Sequence, residues 1–230
     1  MSIYYNVGGK LALSGGKAIC SCDISPPYSI MLISAGQYHT TELDNNSKIW
    51  SWGYNNYGQL GDNSVTSRRT PVSILGNKKN FYKNSTGESH TVAIDYTGQV
   101  WSWGSNSYGR LGDNTVIARS TPVSILGNKK TFCKINAGYS HTVTIDYTGQ
   151  VWSWGYNNTG QLGDNSVTSK LTPVSILGNK KTFCHIAAGQ YHTVAIDYTG
   201  QVWSWGYNGY GQLGDNSVTS KNTPVKVCNL

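Results

Sequence analysis

The 230 residues include 27 Gly, 16 Tyr, 8 Trp and 5 Cys; 13% are charged and the formal net charge is +7. So many aromatics exclude a disordered chain, five cysteines with one C-x-C pair make neither a disulfide scaffold nor a zinc site, and no run of about 18 apolar residues is present to span a membrane. The positive balance permits attraction to nucleic acid, acidic proteins or anionic lipid, but many lysines recur in "GNKK" turns (Lys78, Lys79, Lys129, Lys130, Lys180, Lys181), the pattern of a solvated rim.

The N-terminal "MSIYYNVGGKLALSGG" lacks a basic start followed by a long apolar core, so no signal peptide is expected. With the cysteine usage this points to a soluble, cytoplasmic protein; export by another route or incorporation into a virion stays open. Within residues 1–33, "KLALSGGKAICSC" has the shape of the later "TVAIDYTGQVWSW", with Cys20 and Cys22 in place of tryptophans. Its strands are expected at 10–13 and 18–22, with "PPYSI" at 26–30 standing where "TPVSI" occurs later. Residues 1–33 read as a degenerate, trimmed blade or capping segment.

From residue 34 onward a period takes over. His39, His90, His141 and His192 stand 51 residues apart, and Trp52, Trp103, Trp154 and Trp205 keep the same step. Such a period means a propeller or a solenoid. In the third copy, "TFCKI" (131–135), "HTVTI" (141–145), "QVWSW" (150–154) and "PVSIL" (173–177) read as short strands. The turn between the second and third is "DYTG", with Gly149 free to take positive φ. Four antiparallel strands per unit predict a propeller blade. The units are 34–84, 85–135, 136–186 and 187–230, and a five-blade ring or an open arc completed by another copy both fit.

Strand alternation puts the two tryptophans of each "WSW" on one face. Trp50, Trp52, Trp101, Trp103, Trp152, Trp154, Trp203 and Trp205 are therefore expected in the core between blades, opposite small residues. His39, His90, His141 and His192 are expected to pin the neighbouring turn through nearby backbone. Asp62, Asp113, Asp164 and Asp215, in "LGDN", are placed to cap backbone N–H groups. Cys133 and Cys184 share a position held by Tyr82 and Met31 in earlier copies, which suits a small core site. No catalytic set, metal site or cofactor site is visible.

The motifs "AGxxHT" (with "TGESHT" in the second copy), "VWSWGxNxxGxLGDN" ("KIWSW" in the first) and "TPV" resemble the repeats of the regulator-of-chromosome-condensation (RCC1) family over residues 34–225. The resemblance implies an all-β propeller, most commonly of seven blades in that family. It implies tasks as varied as nucleotide exchange on a small GTPase with chromatin contact, enzyme inhibition, light sensing through tryptophan clusters, and protein binding. Here four clear copies are present, and regular blade packing already accounts for the tryptophans. No stretch stands out as the acidic, polar face that exchange requires.

Because the copies are nearly identical, their differences mark candidate partner-binding residues: Tyr38, Glu88, Tyr139 and Tyr191 after the "AG" or "TG" turn, and Arg68, Arg69, Arg110, Arg119, Lys170 and Lys221 in the long connection. Partner contact and drift on an indifferent surface both explain these differences from sequence alone. The expected function is a non-catalytic protein-interaction module or scaffold, with self-association open. The alternatives are an exchange factor or chromatin-associated regulator that touches nucleic acid, and a multivalent glycan-binding or viral or bacterial surface protein.

Overall fold

The computed structural model describes residues 12–14, 17–19, 30–76, 80–126, 131–177 and 182–228. Two short strands, β1 (Ala12–Ser14) and β2 (Lys17–Ile19), form a hairpin. Sixteen more make four sheets of four. Blade 1 is β3 (Ile30–Ala35), β4 (His39–Asp44), β5 (Ile49–Gly53) and β6 (Arg68–Ser73). Blade 2 is β7 (Phe81–Thr86), β8 (His90–Asp95), β9 (Val100–Gly104) and β10 (Arg119–Ser124). Blade 3 is β11 (Phe132–Ala137), β12 (His141–Asp146), β13 (Val151–Gly155) and β14 (Lys170–Ser175). Blade 4 is β15 (Phe183–Ala188), β16 (His192–Asp197), β17 (Val202–Gly206) and β18 (Lys221–Lys226). Within each blade, neighbouring strands are antiparallel and in chain order. The first strands β3, β7, β11 and β15 touch one another in turn and so line the axis.

The tight turn between second and third strands forms as its residues dictate. Gly149 takes φ 81°. Asp146 Oδ1 accepts the N–H groups of Thr148 and Gln150, and Oδ2 accepts the indole N–H of Trp152 at 2.9 Å. The fourth strand differs from expectation. It begins at Lys170, three residues before Pro173, because Lys170 pairs with Gly155. Pro173 then falls in the irregular stretch between that pair and the pair Ser153–Val174, where its missing N–H leaves no ladder bond unmade.

The cores lie between blades rather than within them. Leu43, Ile49 and Ile74 of blade 1 close on Phe81, Ala93 and Trp103 of blade 2, and blades 3 and 4 repeat the arrangement around Trp205. Trp103, Trp154 and Trp205 are fully buried. Burying about 200 Å² of indole contributes on the order of 5 kcal/mol each, as an upper figure. Each ring lies on a glycine of the preceding blade: a Cβ on Gly112 would come within 2.8 Å of Trp154 Nε1. Trp50, Trp101, Trp152 and Trp203 are only half-buried and tie to the aspartate of their own hairpin turn.

The N-terminal hairpin is present, but its register is not that of a blade. Ala12 pairs with Ile19, whereas the blade alignment would set Leu13 there. Cys20, Cys22, the 26–29 segment and the "GNKK" lysines lie outside the described residues.

Candidate functional site

At one end of the blades the first strand turns into the second through "AGQY", "TGES", "AGYS" and "AGQY". Gly36 N–H bonds to the His39 carbonyl at 2.8 Å, and a Cβ on Gly36 would meet Gly87 O at 2.5 Å. Glycine is required because successive turns press on one another around the axis. The four turns line a funnel of about 400 Å³. Gln37, Glu88, Tyr139 and Gln190 occupy equivalent places around its mouth.

Beneath each turn lies its histidine, and His39, His90 and His141 act across blades. His39 Nε2 is 2.9 Å from Thr91 Oγ1, whose own hydroxyl donates to the Gln59 carbonyl at 2.9 Å. The threonine proton is thus committed, so the imidazole carries its proton on Nε2 and donates, leaving Nδ1 unpartnered. The same relay runs His90–Thr142–Arg110 and His141–Thr193–Gln161. Each goes from one blade to the next and back. For His39, His90 and His141 the expected bond to nearby backbone is therefore corrected: the ring rests on its own turn, but its bond reaches the neighbouring blade. Burial holds these imidazoles neutral, lowering His39 to about 4 and His141 to about 3. His90 is likewise held well below the usual imidazole value, by burial first and then by the Arg110 charge.

The candidate residues fall into two groups. Tyr38, Glu88, Tyr139, Tyr191 and Arg110 gather at the mouth. Arg110 replaces the glutamine of the other copies and is almost fully buried, its Nη1 3.2 Å from Glu88 Oε2. It also reaches the Tyr139 carbonyl at 3.5 Å and lies 6.0 Å from the Tyr108 ring centre. A hydrogen bond to Glu88, with some burial, raises the Tyr139 phenol to about 12. Glu88, Arg110 and Tyr139 are thus a single mutually compensated cluster.

Arg68, Arg119, Lys170 and Lys221 sit at the periphery of the same end. Each is bound to the aspartate of its own "LGDN" turn, at 2.7, 2.9, 3.4 and 3.6 Å respectively. Those aspartates also accept the N–H two residues on, as at Ser166. These cations act as loop clamps. Arg69 is exposed beside them.

Sequence comparison missed six tyrosines that complete the mouth. Ring centres run Tyr108–Tyr156 (4.7 Å), Tyr156–Tyr191 (6.3 Å), Tyr191–Tyr139 (6.0 Å), Tyr191–Tyr207 (6.5 Å) and Tyr207–Tyr210 (6.1 Å). Across blade 1, Tyr38, Tyr54 and Tyr57 form a second row at 6.1 and 6.3 Å. Tyr38, Tyr57, Tyr108 and Tyr210 remain 63%, 48%, 45% and 89% exposed. The available signal was the exchange of Tyr for Ser105 or Thr159 at two repeat positions. Among the described residues no group of three or more His, Cys, Asp or Glu is placed to hold a metal ion.

Comparison with known proteins accounts for this architecture. The family model of the RCC1-like domain matches residues 7–230. The chain belongs to that family. It is 33% identical over 207 residues to the ultraviolet-B receptor UVR8 of Arabidopsis thaliana, covering 88% of this chain and 47% of the receptor. It is 32% identical over 206 residues to the probable E3 ubiquitin-protein ligase HERC4 of Homo sapiens, covering 86% of this chain and 19% of the ligase. Among solved structures, human WBSCR16 superposes with a TM-score of 0.79 at 21% identity, over 94% of this chain and 56% of that one. Yeast RCC1 (Prp20) bound to Kap60 gives 0.78 at 23% identity, over 90% and 50%. This RCC1-like chain thus spans about half the length of such structures, and its arc of four all-β blades is the RCC1-type propeller fold.

Proposed function

We propose that the chain is a non-catalytic protein-interaction module whose binding surface is the tyrosine-lined mouth. The observation that carries this is the joining of the copy-to-copy differences into one place. Glu88, Arg110 and Tyr139 depart from the repeat together and touch, and the longest row of tyrosines runs beside them. Independent drift would scatter such changes. Tyrosine offers large amphipathic area with few rotatable bonds, and tyrosine and arginine dominate interface hot spots. Buried Arg110, paired with the partly exposed Glu88, stiffens the floor beneath them.

One solved relative, yeast RCC1 (Prp20), is described with macromolecular partners in two structures: bound to Kap60, and with binding properties to Gsp1p and histones. These support a protein partner here without naming it. The mouth's Glu88 is already engaged by Arg110, which argues against an acidic exchange surface. The test is affinity capture from an extract of the source organism with the wild-type chain and with a Tyr156→Ser/Tyr191→Ser variant. Calorimetry on each recovered protein follows. The variant is expected to bind at least about 10-fold more weakly; equal affinity would place binding elsewhere.

A further inference from the structure

The joint between blades is built three times in this chain, always from the same parts. The leading blade supplies a histidine, a glycine and an aliphatic patch; the following blade supplies a threonine and a tryptophan. An outer backbone bond completes it: Asn63 N–H to Ser120 O, Asn114 to Leu171, and Asn165 to Asn222, at 2.9, 3.0 and 2.9 Å.

The two ends of the arc carry the two unmatched halves. Blade 4 presents His192, Gly214, Asn216 and the patch Val194, Ile196, Val202 and Val227. The patch residues are half-exposed, whereas Val143, Ile145, Val151 and Ile176 of blade 3 are buried. No indole lies on Gly214, whose Cβ would meet only Val227. Blade 1 presents Thr40 and Trp52, the latter partly exposed where Trp103, Trp154 and Trp205 are fully buried.

We propose that the face of blade 4 left uncovered among the described residues docks on the corresponding uncovered face of blade 1 in a second copy, so that two copies joined at both seams close one ring around a shared mouth. His192 then meets Thr40, Gly214 meets Trp52, and Asn216 N–H meets the carbonyl of Arg69. The contact is head-to-tail, so closure rather than self-complementarity limits its size. Two parts depart from the internal joints. Glu42 stands where Ala93, Thr144 and Ala195 are buried, and Ala187 replaces the side chains of Ser34, Ser85 and Asn136 that accept the next blade's N–H. Both weaken the seam relative to the internal ones, which makes the assembly reversible.

Sedimentation velocity over a dilution series tests this on the full chain. The wild type is expected to run as a dimer that dissociates on dilution. Glu42→Ala is expected to tighten it on the order of 10-fold. Thr40→Arg and Val194→Arg, each on a half-exposed position, are each expected to abolish it while circular dichroism stays unchanged. Mixing those two variants restores a single seam, because each retains one intact face, and a heterodimer reappears. A monomer at every concentration would overturn the proposal. So would a dimer indifferent to both arginines, or arginine variants that fold but do not complement.

Discussion

Each cross-blade threonine supports two partners with one hydroxyl. Thr91→Val removes the acceptor for His39 and the donor for Gln59 O at once. A loss of about 2–4 kcal/mol is expected in urea denaturation, since buried groups left unpaired cost about 1–3 kcal/mol each. The histidines add a pH dependence whose sign follows from their lowered values. The unfolded chain takes up these protons near pH 6.5, but folded His39 does so only at about 4 and His141 at about 3. Their contribution is complete above pH 6.5 and is lost as the pH falls toward 4, at up to about 1.4 kcal/mol per pH unit for each. The urea midpoint is therefore expected to drop between pH 7 and pH 5, and His141→Asn to flatten that slope; equal midpoints would contradict the assignment. The recurrence of these histidines was plain in the sequence. Their partners were not, because each lies 52 residues away at the position just after the next histidine, where Thr also reads as an ordinary strand residue.

The long connection is the element least readable from its letters. Buried Asn157 organises it: its carbonyl oxygen accepts the Leu162 N–H, and its amide donates to Asp164 Oδ1 and to the carbonyls of Ser166 and Thr168. One copy alone does not separate this asparagine from the exposed Asn158; the four copies do, with Asn at 55, 106, 157 and 208 but Asn, Ser, Asn and Gly at the following position. Asn157→Ala is expected to cost about 3 kcal/mol, a melting shift of roughly 6–12 °C read by scanning calorimetry. Gly112→Ala should do comparable damage by another route. Residue 112 sits at φ 72°, and the added methyl strikes the Trp154 indole. By contrast the first three strands of each blade were legible, since period-two alternation and the turn glycine fix them. The fourth was misplaced at its start because a proline usually opens a strand, and only the irregular pairing opposite it showed otherwise.

Stability should vary along the arc, because each blade leans on its neighbours. Blades 2 and 3 are covered on both faces, blades 1 and 4 each have a less buried one. Amide exchange by mass spectrometry is expected to be slowest in β8, β9, β12 and β13 and faster in β16 and β17; uniform protection at low protein concentration would contradict this. At this scale the sequence supplied the period, the four-strand unit and the propeller class. The mouth escaped it, since tyrosines from four separate repeat positions converge only when the blades fan around an axis. The joint has a final consequence. Every unit carries both the socket and the plug, so unequal crossing-over between any two copies yields a new junction whose parts already fit. Such a gene can lengthen or shorten by whole units in a single recombination event, and selection need only act afterwards on the mouth.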